Sequence, residues 1–147
     1  MEIPEFLNDA LGFNLYQAHL LMRRELQKVL TGYNLTPEQW TILAILWFSE
    51  KPLKQSEIVQ LTLRDKHTTS KIISNLERYG WVDKKNDPED ARTTLIYITK
   101  KAEKYKDEIT GNVKNNLNGV MKKFGLKERD ELVSQLKRLR ILLGEDD

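Results

Sequence analysis

One arginine follows a run of acids in the segment NDPEDARTTLIYIT, which extends from Asn86 to Thr99. Three acidic residues surround Pro88, and the last of them, Asp90, precedes Arg92 by two positions. A carboxylate at this spacing can orient a guanidinium through a charge-assisted hydrogen bond. A planar cation held on a proline-stiffened loop suits an anionic partner. The plainer interpretation is an exposed ion pair worth about 0–1 kcal/mol.

Two β-prone runs flank this loop and predict a hairpin with the loop at its tip. Two short helices are predicted before the hairpin; Asp65 can cap the second of them and Gly80 can close it. The expected ranges are Gln55–Leu61 and Lys66–Tyr79 for the helices, and Trp81–Lys85 and Thr93–Ile98 for the strands. Helix, helix and hairpin in this order predict a winged helix-turn-helix, with the loop as the tip of its wing.

The second of these helices has one apolar face and one polar, basic face. The positions expected to face the core are Ile72, Ile73, Leu76 and Tyr79, after Ile58, Val59 and Leu61 in the first helix. The polar positions are Lys66, His67, Ser70, Lys71, Ser74 and Arg78. Residues 51–101 hold 11 Lys/Arg against 7 Asp/Glu, while the rest of the chain holds 13 against 15. The basic middle therefore permits a polyanionic partner.

A winged helix-turn-helix with this charge predicts binding to double-stranded DNA. The candidate base contacts are His67, Thr68, Ser70 and Lys71 in the major groove. The candidate phosphate contacts are Lys54, Gln55 and Ser56, where free backbone N–H groups begin a helix. Arg92, braced by Asp90, is the candidate for the minor groove. The alternatives are a solvated helix face, simple N-capping and a surface ion pair.

The remaining helices carry apolar residues on more than one face. One long helix is predicted over Pro4–Thr31 with Gly32 as its stop, and another begins at Thr36-Pro37 with Gln39 completing a capping box. A helix over Lys100–Lys122 contains glycines and asparagines that predict a bend, and a last helix covers Lys127–Leu143, with Leu132, Leu136, Leu139 and Leu143 in one stripe. Pairing with a second copy would bury the excess surface. The alternative is that these helices only cover the chain's own core.

Several classes of protein are not expected. The sequence has no cysteine, and its two histidines lie apart without a cluster of acids at ligand spacing, so we expect no metal and no cofactor. No nucleophile–base pair or phosphate-binding glycine loop is present, so an enzyme is not expected. The longest apolar run, Ile42–Phe48, is far below the roughly 20 residues of a membrane span, and no signal peptide is recognisable, so we expect a cytoplasmic protein without a membrane partner.

Five residues are candidates for a ligand pocket. Aromatic rings with one cationic group would suit a small aromatic or anionic effector. The residues are Tyr16, His19, Arg23, Trp40 and Trp47. The alternative is that these side chains pack without a ligand.

The sequence resembles the MarR family, the multiple-antibiotic-resistance-type transcriptional regulators. The resemblance rests on LTPEQWTILAIL, LKQSEIVQLT, RDKHTTSKIISNLERYGWV and DPEDARTTLIYIT, in this order. The last segment carries the family's Asp-x-Arg and Thr pattern at Asp90, Arg92 and Thr99, whereas Ala91 and Ala102 depart from it. The resemblance implies a homodimer that binds a pseudopalindromic operator, most often a repressor with an effector site between the dimerisation helices and the winged lobe. Without cysteine, the thiol-oxidation mechanism of one branch of the family is ruled out.

The expected fold is mainly α with a small β-hairpin: a winged helix-turn-helix lobe flanked by N- and C-terminal dimerisation helices. Residues 1–147 are expected to form a single MarR-type domain, with the lobe at 33–100 and the dimerisation helices at 1–32 and 101–147. The expected function is a sequence-specific, ligand-responsive DNA-binding regulator. The alternatives are a winged-helix protein-protein interaction module without direct DNA binding, and a small-molecule-binding dimer without a DNA role.

Overall fold

The computed structural model describes residues 1–145, which form eight α-helices and a small antiparallel sheet. Residues 1–113 make one compact unit and the residues from 114 onward make a second. The helices are α1 (Glu5–Asn8), α2 (Leu11–Leu30), α3 (Pro37–Phe48), α4 (Gln55–Thr62), α5 (Lys66–Arg78), α6 (Lys100–Asn116), α7 (Asn118–Phe124) and α8 (Leu126–Leu142). The strands are β1 (Leu53–Lys54), β2 (Val82–Asn86) and β3 (Thr94–Ile98).

The prediction of one N-terminal helix over Pro4–Thr31 is wrong, because α1 and α2 are separate. The backbone of Ala10 is extended between them, with φ −77° and ψ 130°. The Asn14 side-chain amide donates to the carbonyl oxygens of Asn8 at 2.7 Å and Ala10 at 2.9 Å. These bonds satisfy carbonyls at the interruption. Apolar spacing alone could not reveal this competition from an asparagine side chain.

Gly32 was predicted as the stop of the first long helix, but it does not adopt the left-handed conformation typical of such a stop. A short 3-10 helix, Thr31–Tyr33, continues from α2, and the left-handed residue is Asn34, with φ 55°. Asparagine visits this conformation more readily than most residues with a side chain. The predicted start of α3 is confirmed: the Thr36 hydroxyl accepts from the Gln39 backbone at 3.2 Å, and the Gln39 side chain accepts from the Thr36 backbone at 2.9 Å.

The helix pair α4 and α5 lies within a residue or two of its predicted ranges. Ile58, Ile73 and Leu76 are fully buried, but Leu61 and Tyr79, which were predicted to face the core, are exposed. The eight-residue helix α4 buries only one narrow face. Tyr79 follows the last helical residue of α5, where helical spacing no longer fixes the direction of a side chain.

The sheet has the order β1-β3-β2, with both pairings antiparallel. The predicted hairpin is confirmed as β2 and β3, in a register that pairs Val82 with Ile98 and Asn86 with Thr94. Strand β1 was not predicted, because two residues are too few to show alternation. It pairs Leu53 with Ile96, and Ile96 is fully buried at the centre of the sheet.

Helix α3 supplies much of the core of the first unit, as its nearly continuous apolar sequence predicts. Six of its residues are buried, and four of them are in the hydrophobic core: Ile42, Leu43, Leu46 and Trp47. They belong to the same cluster as Ile58, Ile73, Leu76, Ile96, Ala102 and Ile109. The start of α6 therefore belongs to the core that positions α4, α5 and the hairpin.

The C-terminal helices break where the sequence predicts a bend. Helix α6 ends at Asn116, and α7 begins at Asn118 after Leu117. Helix α8 has the expected length, but it buries no residue completely. Of the predicted leucine stripe, Leu132 and Leu143 are exposed.

The turn between α4 and α5 has a strained residue, and this predicts a stabilising substitution. Leu63 is left-handed, with φ 54°, and its side chain is 71% exposed. A left-handed conformation costs a residue with a Cβ about 1–2 kcal/mol, while glycine costs about 0.5–1 kcal/mol in unfolded-state entropy. Leu63→Gly should therefore raise the free energy of unfolding by about 0.5–1 kcal/mol in urea titrations at fixed protein concentration. The control Asn34→Gly should change stability much less, and destabilisation by Leu63→Gly would show that the leucine makes a packing contribution.

Candidate nucleic-acid interface

The tip of the wing is a tight loop held by several hydrogen bonds of its own backbone. The Asp87 backbone N–H donates to the carbonyl of Thr93 at 2.8 Å, and the Thr93 N–H donates to the carbonyl of Asp90 at 2.9 Å. The Asp87 carboxylate accepts from the Glu89 backbone at 2.9 Å. Two of the three acids of this loop thus accept hydrogen bonds from the backbone that follows them, as Asp side chains commonly do in turns.

Asp90 holds both the backbone and the side chain of Arg92. Its Oδ1 accepts from the Arg92 backbone N–H at 3.1 Å and from Arg92 Nε at 3.2 Å. These two bonds, the backbone bond first, lower the pKa of Asp90 below its usual value. The Arg92 side chain is 92% exposed. The hydrogen bond expected between these side chains is present, and it leaves the guanidinium projecting into solvent.

Arg92 lines one cleft together with the first residues of α4 and α5. The cleft has a volume of about 430 Å³ and includes Lys54, Gln55, Ser56, Val59, Lys66, Arg92, Thr93 and Thr94. The structure thus brings the three candidate phosphate contacts together with the wing arginine. Glu57 accepts from the Lys54 backbone N–H at 2.7 Å and closes the first turn of α4, so the charge of the exposed Lys54 amine is left for other partners.

The first turn of α5 is fixed by its cap. Asp65 accepts from the Thr68 backbone at 2.8 Å and from the Thr68 hydroxyl at 2.6 Å. These bonds, the hydroxyl bond first, lower the pKa of Asp65. The Thr68 hydroxyl proton is therefore already donated, which leaves its methyl group and lone pairs for a base. His67 and Lys71 are exposed and Ser70 is half-buried on the same helix.

A bridge between α5 and β2 was not found by sequence reasoning. The Lys84 amine donates to the Ser74 hydroxyl at 3.1 Å, and the Lys84 backbone N–H donates to Glu77 at 3.2 Å. Strand β2 lies at the edge of the sheet, so its outward N–H groups need partners outside the sheet. Glu77 meets this need and fixes the wing against α5. Seven residues separate the two partners, and no local pattern signals such a contact.

Thr99 joins the end of the wing to the turn after α5. Its hydroxyl donates to the carbonyl of Gly80 at 2.6 Å and accepts from the Ala102 backbone at 3.2 Å. One hydroxyl therefore bonds both the start of α6 and the turn that leads into β2. Ala102, which departs from the family pattern, fits at this junction. Its side chain is fully buried, and its N–H has a partner in Thr99.

Comparisons with known proteins identify the family of this chain. The MarR family model matches residues 33–93. The HTH-type transcriptional regulator MgrA of Staphylococcus aureus is 30% identical over 105 residues, 71% of each protein. The chain belongs to the MarR family. The winged helix-turn-helix predicted from the sequence is confirmed in the structure of this chain.

Two solved structures have the same fold. A probable transcriptional regulator from Pseudomonas aeruginosa has a TM-score of 0.82 at 26% identity, over 90% of this chain and 98% of that one. The transcriptional repressor CouR bound to a 23-mer DNA duplex has a TM-score of 0.86 at 21% identity, over 95% of this chain and 98% of that one. CouR from Rhodococcus jostii RHA1 has also been solved bound to p-coumaroyl-CoA.

The five candidate pocket residues of this MarR-family chain have different surroundings. Tyr16 and His19 are exposed on α2, and Trp40 is partly buried with no hydrogen-bond partner for its indole N–H. Trp47 is buried and donates to the carbonyl of Ala102 at 3.2 Å. It lines a cavity of about 240 Å³ beside Pro52 and Tyr97 that includes none of the other four. The aromatic pocket thus stays a prediction, with Trp47 mainly a core residue.

Arg23 is already paired. Its Nε and Nη2 donate to the two carboxylate oxygens of Glu38 at 2.7 and 2.8 Å. An anionic ligand at Arg23 would have to compete with this bidentate pair. Across residues 1–145 the structure has no cluster of three or more metal-ligating side chains, and no helix there is long and apolar enough to cross a membrane.

The pair predicts a specific loss of stability in acid. The hydrogen bond from Arg23 lowers the pKa of Glu38, whose side chain is 22% exposed. A lowered folded-state pKa gives stability that is present above the unfolded pKa, about 4.3, and lost as the pH falls through the folded value. Glu38→Gln should cost about 1 kcal/mol at pH 7, and less as the pH falls below about 4. Urea titrations at pH 7 and at a pH below about 4 test this prediction. Glu50→Gln, at an exposed position, is the control. A loss of stability in Glu38→Gln that does not change with pH would contradict the prediction.

Proposed function

We propose that this chain is a sequence-specific DNA-binding transcriptional regulator that binds a pseudopalindromic operator as a homodimer. The observation that carries the proposal is the exposed Arg92 guanidinium. Asp90 orients it at the cleft that Arg92 lines together with the first residues of α4 and α5. Family membership supports it, as does the DNA-bound state of CouR. Regulation of transcription implies a cytoplasmic protein, and we propose no enzymatic activity.

The proposed roles follow from where each side chain lies. Helix α5 enters the major groove, where Lys71 and His67 reach base edges and Ser70 and Thr68 contribute weaker contacts. Lys54, Gln55 and Ser56 face phosphate at the start of α4. Arg92 enters the neighbouring minor groove, whose negative potential favours a planar cation. Asp90 acts through Arg92.

The exposed apolar surface of the terminal helices supports the homodimer. In the first unit, α1 and α2 with the preceding residues expose Ile3, Phe6, Leu11, Leu20, Leu21 and Met22. In the second unit the exposed apolar residues are Val120, Phe124, Leu126, Leu132, Val133, Ile141, Leu142 and Leu143. Apolar surface on this scale is typical of an interface. We propose that residues 1–32 and 101–147 supply the dimer contacts and residues 33–100 the DNA-binding lobe.

A small aromatic or anionic effector is the proposed regulatory ligand, and repression is the proposed mode. CouR, a repressor solved with p-coumaroyl-CoA, supports both. The proposed site borders Tyr16, His19, Arg23 and Trp40, and a carboxylate would there displace Glu38 from Arg23. No metal or cofactor is needed for this function.

If the chain forms the proposed dimer, a charge placed on its C-terminal apolar surface should lower the mass measured in solution. Sedimentation equilibrium at micromolar concentration should give twice the chain mass. Leu142→Lys places a charge on the proposed interface and should shift the equilibrium toward monomer. Leu61→Lys changes another exposed leucine, on α4, and should leave the dimer intact. A wild-type monomer would remove the two-fold basis of the operator model.

The DNA-binding role predicts a large effect of Arg92. Arg92→Ala should lose about 1–3 kcal/mol per wing, or about 30-fold or more in dimer affinity. Asp90→Ala should cost less, because a loosened arginine still reaches phosphate. Both variants should keep the wild-type melting temperature, because the loop is exposed.

The measurement is affinity for an operator selected from a random DNA pool and for a random duplex, over a series of salt concentrations. Steep salt dependence of wild-type binding is the expected sign of phosphate contacts, whereas a protein-interaction module or a dimer that only binds a ligand would show no DNA binding. Lys51→Ala removes an exposed charge that lies outside both the proposed DNA contacts and the dimer helices, and it is the control. If the folded Arg92→Ala variant binds the operator with unchanged affinity, Arg92 is only a solvated surface charge.

A further inference from the structure

Lys101, in the first turn of α6, reaches the end of α5. Its amine donates to the carbonyl of Tyr79, the residue that caps α5, at 2.8 Å. The same amine lies 4.4 Å from the centroid of the Trp81 ring. A cation at the C-terminal end of a helix is favoured by the partial negative charge of its free carbonyls. Lys101 therefore makes two directed contacts with the segment that ends α5.

Trp81 makes this contact rigid. Its side chain is 3% exposed, and Tyr105 packs against it edge-on with ring centroids 5.9 Å apart. Lys101 and Tyr105 are four residues apart and so share one face of α6. Trp81 is thus in contact with two side chains from the same face of one helix. A change in the direction of α6 would be transmitted to Trp81 and to the end of α5.

The adjacent lysine has no such role. Lys100 is exposed, and no hydrogen bond, ion pair or ring contact of its side chain is found within residues 1–145. Lys100 and Lys101 carry the same charge at neighbouring positions at the start of α6. Replacing each lysine in turn therefore separates the effect of losing a charge from the effect of losing the two directed contacts of Lys101.

We propose that Lys101 is a positioning residue for operator recognition, which fixes the angle between α5 and α6 and hence the separation of the two α5 helices in the dimer. This inference rests on the proposed function, in which each α5 reads one half-site. The spacing between half-sites must match the separation of the two reading helices. Loss of Lys101 should therefore relax the preference for one spacing, more than it weakens contact with phosphate.

The test compares Lys101→Met with Lys100→Met on three DNA probes: the selected operator, operators with one base pair added to or removed from the spacer, and a random duplex. Methionine keeps much of the aliphatic stem beside Trp81 and removes the amine. Lys101→Met should weaken binding to the selected operator by about tenfold, because part of the binding free energy would then be needed to fix the angle between α5 and α6. The ratio between correct and altered spacers should fall, while random-duplex affinity and its salt slope should match those of Lys100→Met.

Lys101→Arg keeps the charge and a hydrogen-bond donor, so it should retain the wild-type preference for one spacer length. Thermal melts of all variants show whether each protein is folded. Equal loss on all probes with a shallower salt slope would show that Lys101 contacts phosphate, and would overturn the inference. Identical behaviour of the two methionine variants would also overturn it. Both results leave the proposed function intact, whereas wild-type protein that binds no duplex would overturn the proposed function itself.

Discussion

The winged lobe depends on hydrogen bonds to the backbone carbonyls that follow α5. Three consecutive carbonyls follow the helix, and each accepts a hydrogen bond from the junction of β3 and α6: Tyr79 from the Lys101 amine, Gly80 from the Thr99 hydroxyl, and Trp81 from the Thr99 backbone N–H. For the half-buried Gly80 and the buried Trp81, a carbonyl without a partner would cost about 1–3 kcal/mol, whereas Tyr79 is exposed and the loss of its bond would cost less. Because one short segment satisfies all three, the helix, the start of the wing and α6 are held in one arrangement. The position of α5 is therefore set by contacts at its end as well as by its buried core side chains, and both lie away from its polar face.

The acids of the proposed interface have a structural explanation. A carboxylate facing DNA would be repelled by phosphate, but five of the acids near the proposed interface accept a hydrogen bond from a backbone N–H. Asp65 caps α5, Glu57 closes the first turn of α4, Glu77 holds the edge of the wing, and Asp87 and Asp90 shape its tip. Such bonds favour the charged form of a carboxylate, consistent with the lowered pKa of Asp65 and Asp90. The negative charges thus stabilise the loops and helix ends that present the cations.

Sequence reasoning succeeded where the signal was local. The capping box at Thr36, the cap at Asp65, the hairpin and the bond between Asp90 and Arg92 all involve partners within a few residues. It failed where a distant partner or a competing side chain decided the outcome. Asn14 interrupts the first helix, and β1 exists only because β3 is beside it. The bridge from Glu77 to Lys84 and the contact of Lys101 depend on the angle between elements, which no periodicity encodes.

Arg92 shows why an acidic neighbour can strengthen an arginine's contact with an anion. A free arginine side chain carries about 2 kcal/mol of rotamer entropy that binding must remove. The Asp90 carboxylate removes part of that freedom in advance, by accepting from the backbone N–H and from Nε of the same residue. Among the described residues neither Nη group of Arg92 has a partner, so the outer edge of the guanidinium keeps its donors for an anion. The cost is a negative charge close to the proposed phosphate surface, and the backbone bond reduces that cost by holding the carboxylate on the inner side of the guanidinium, at Nε.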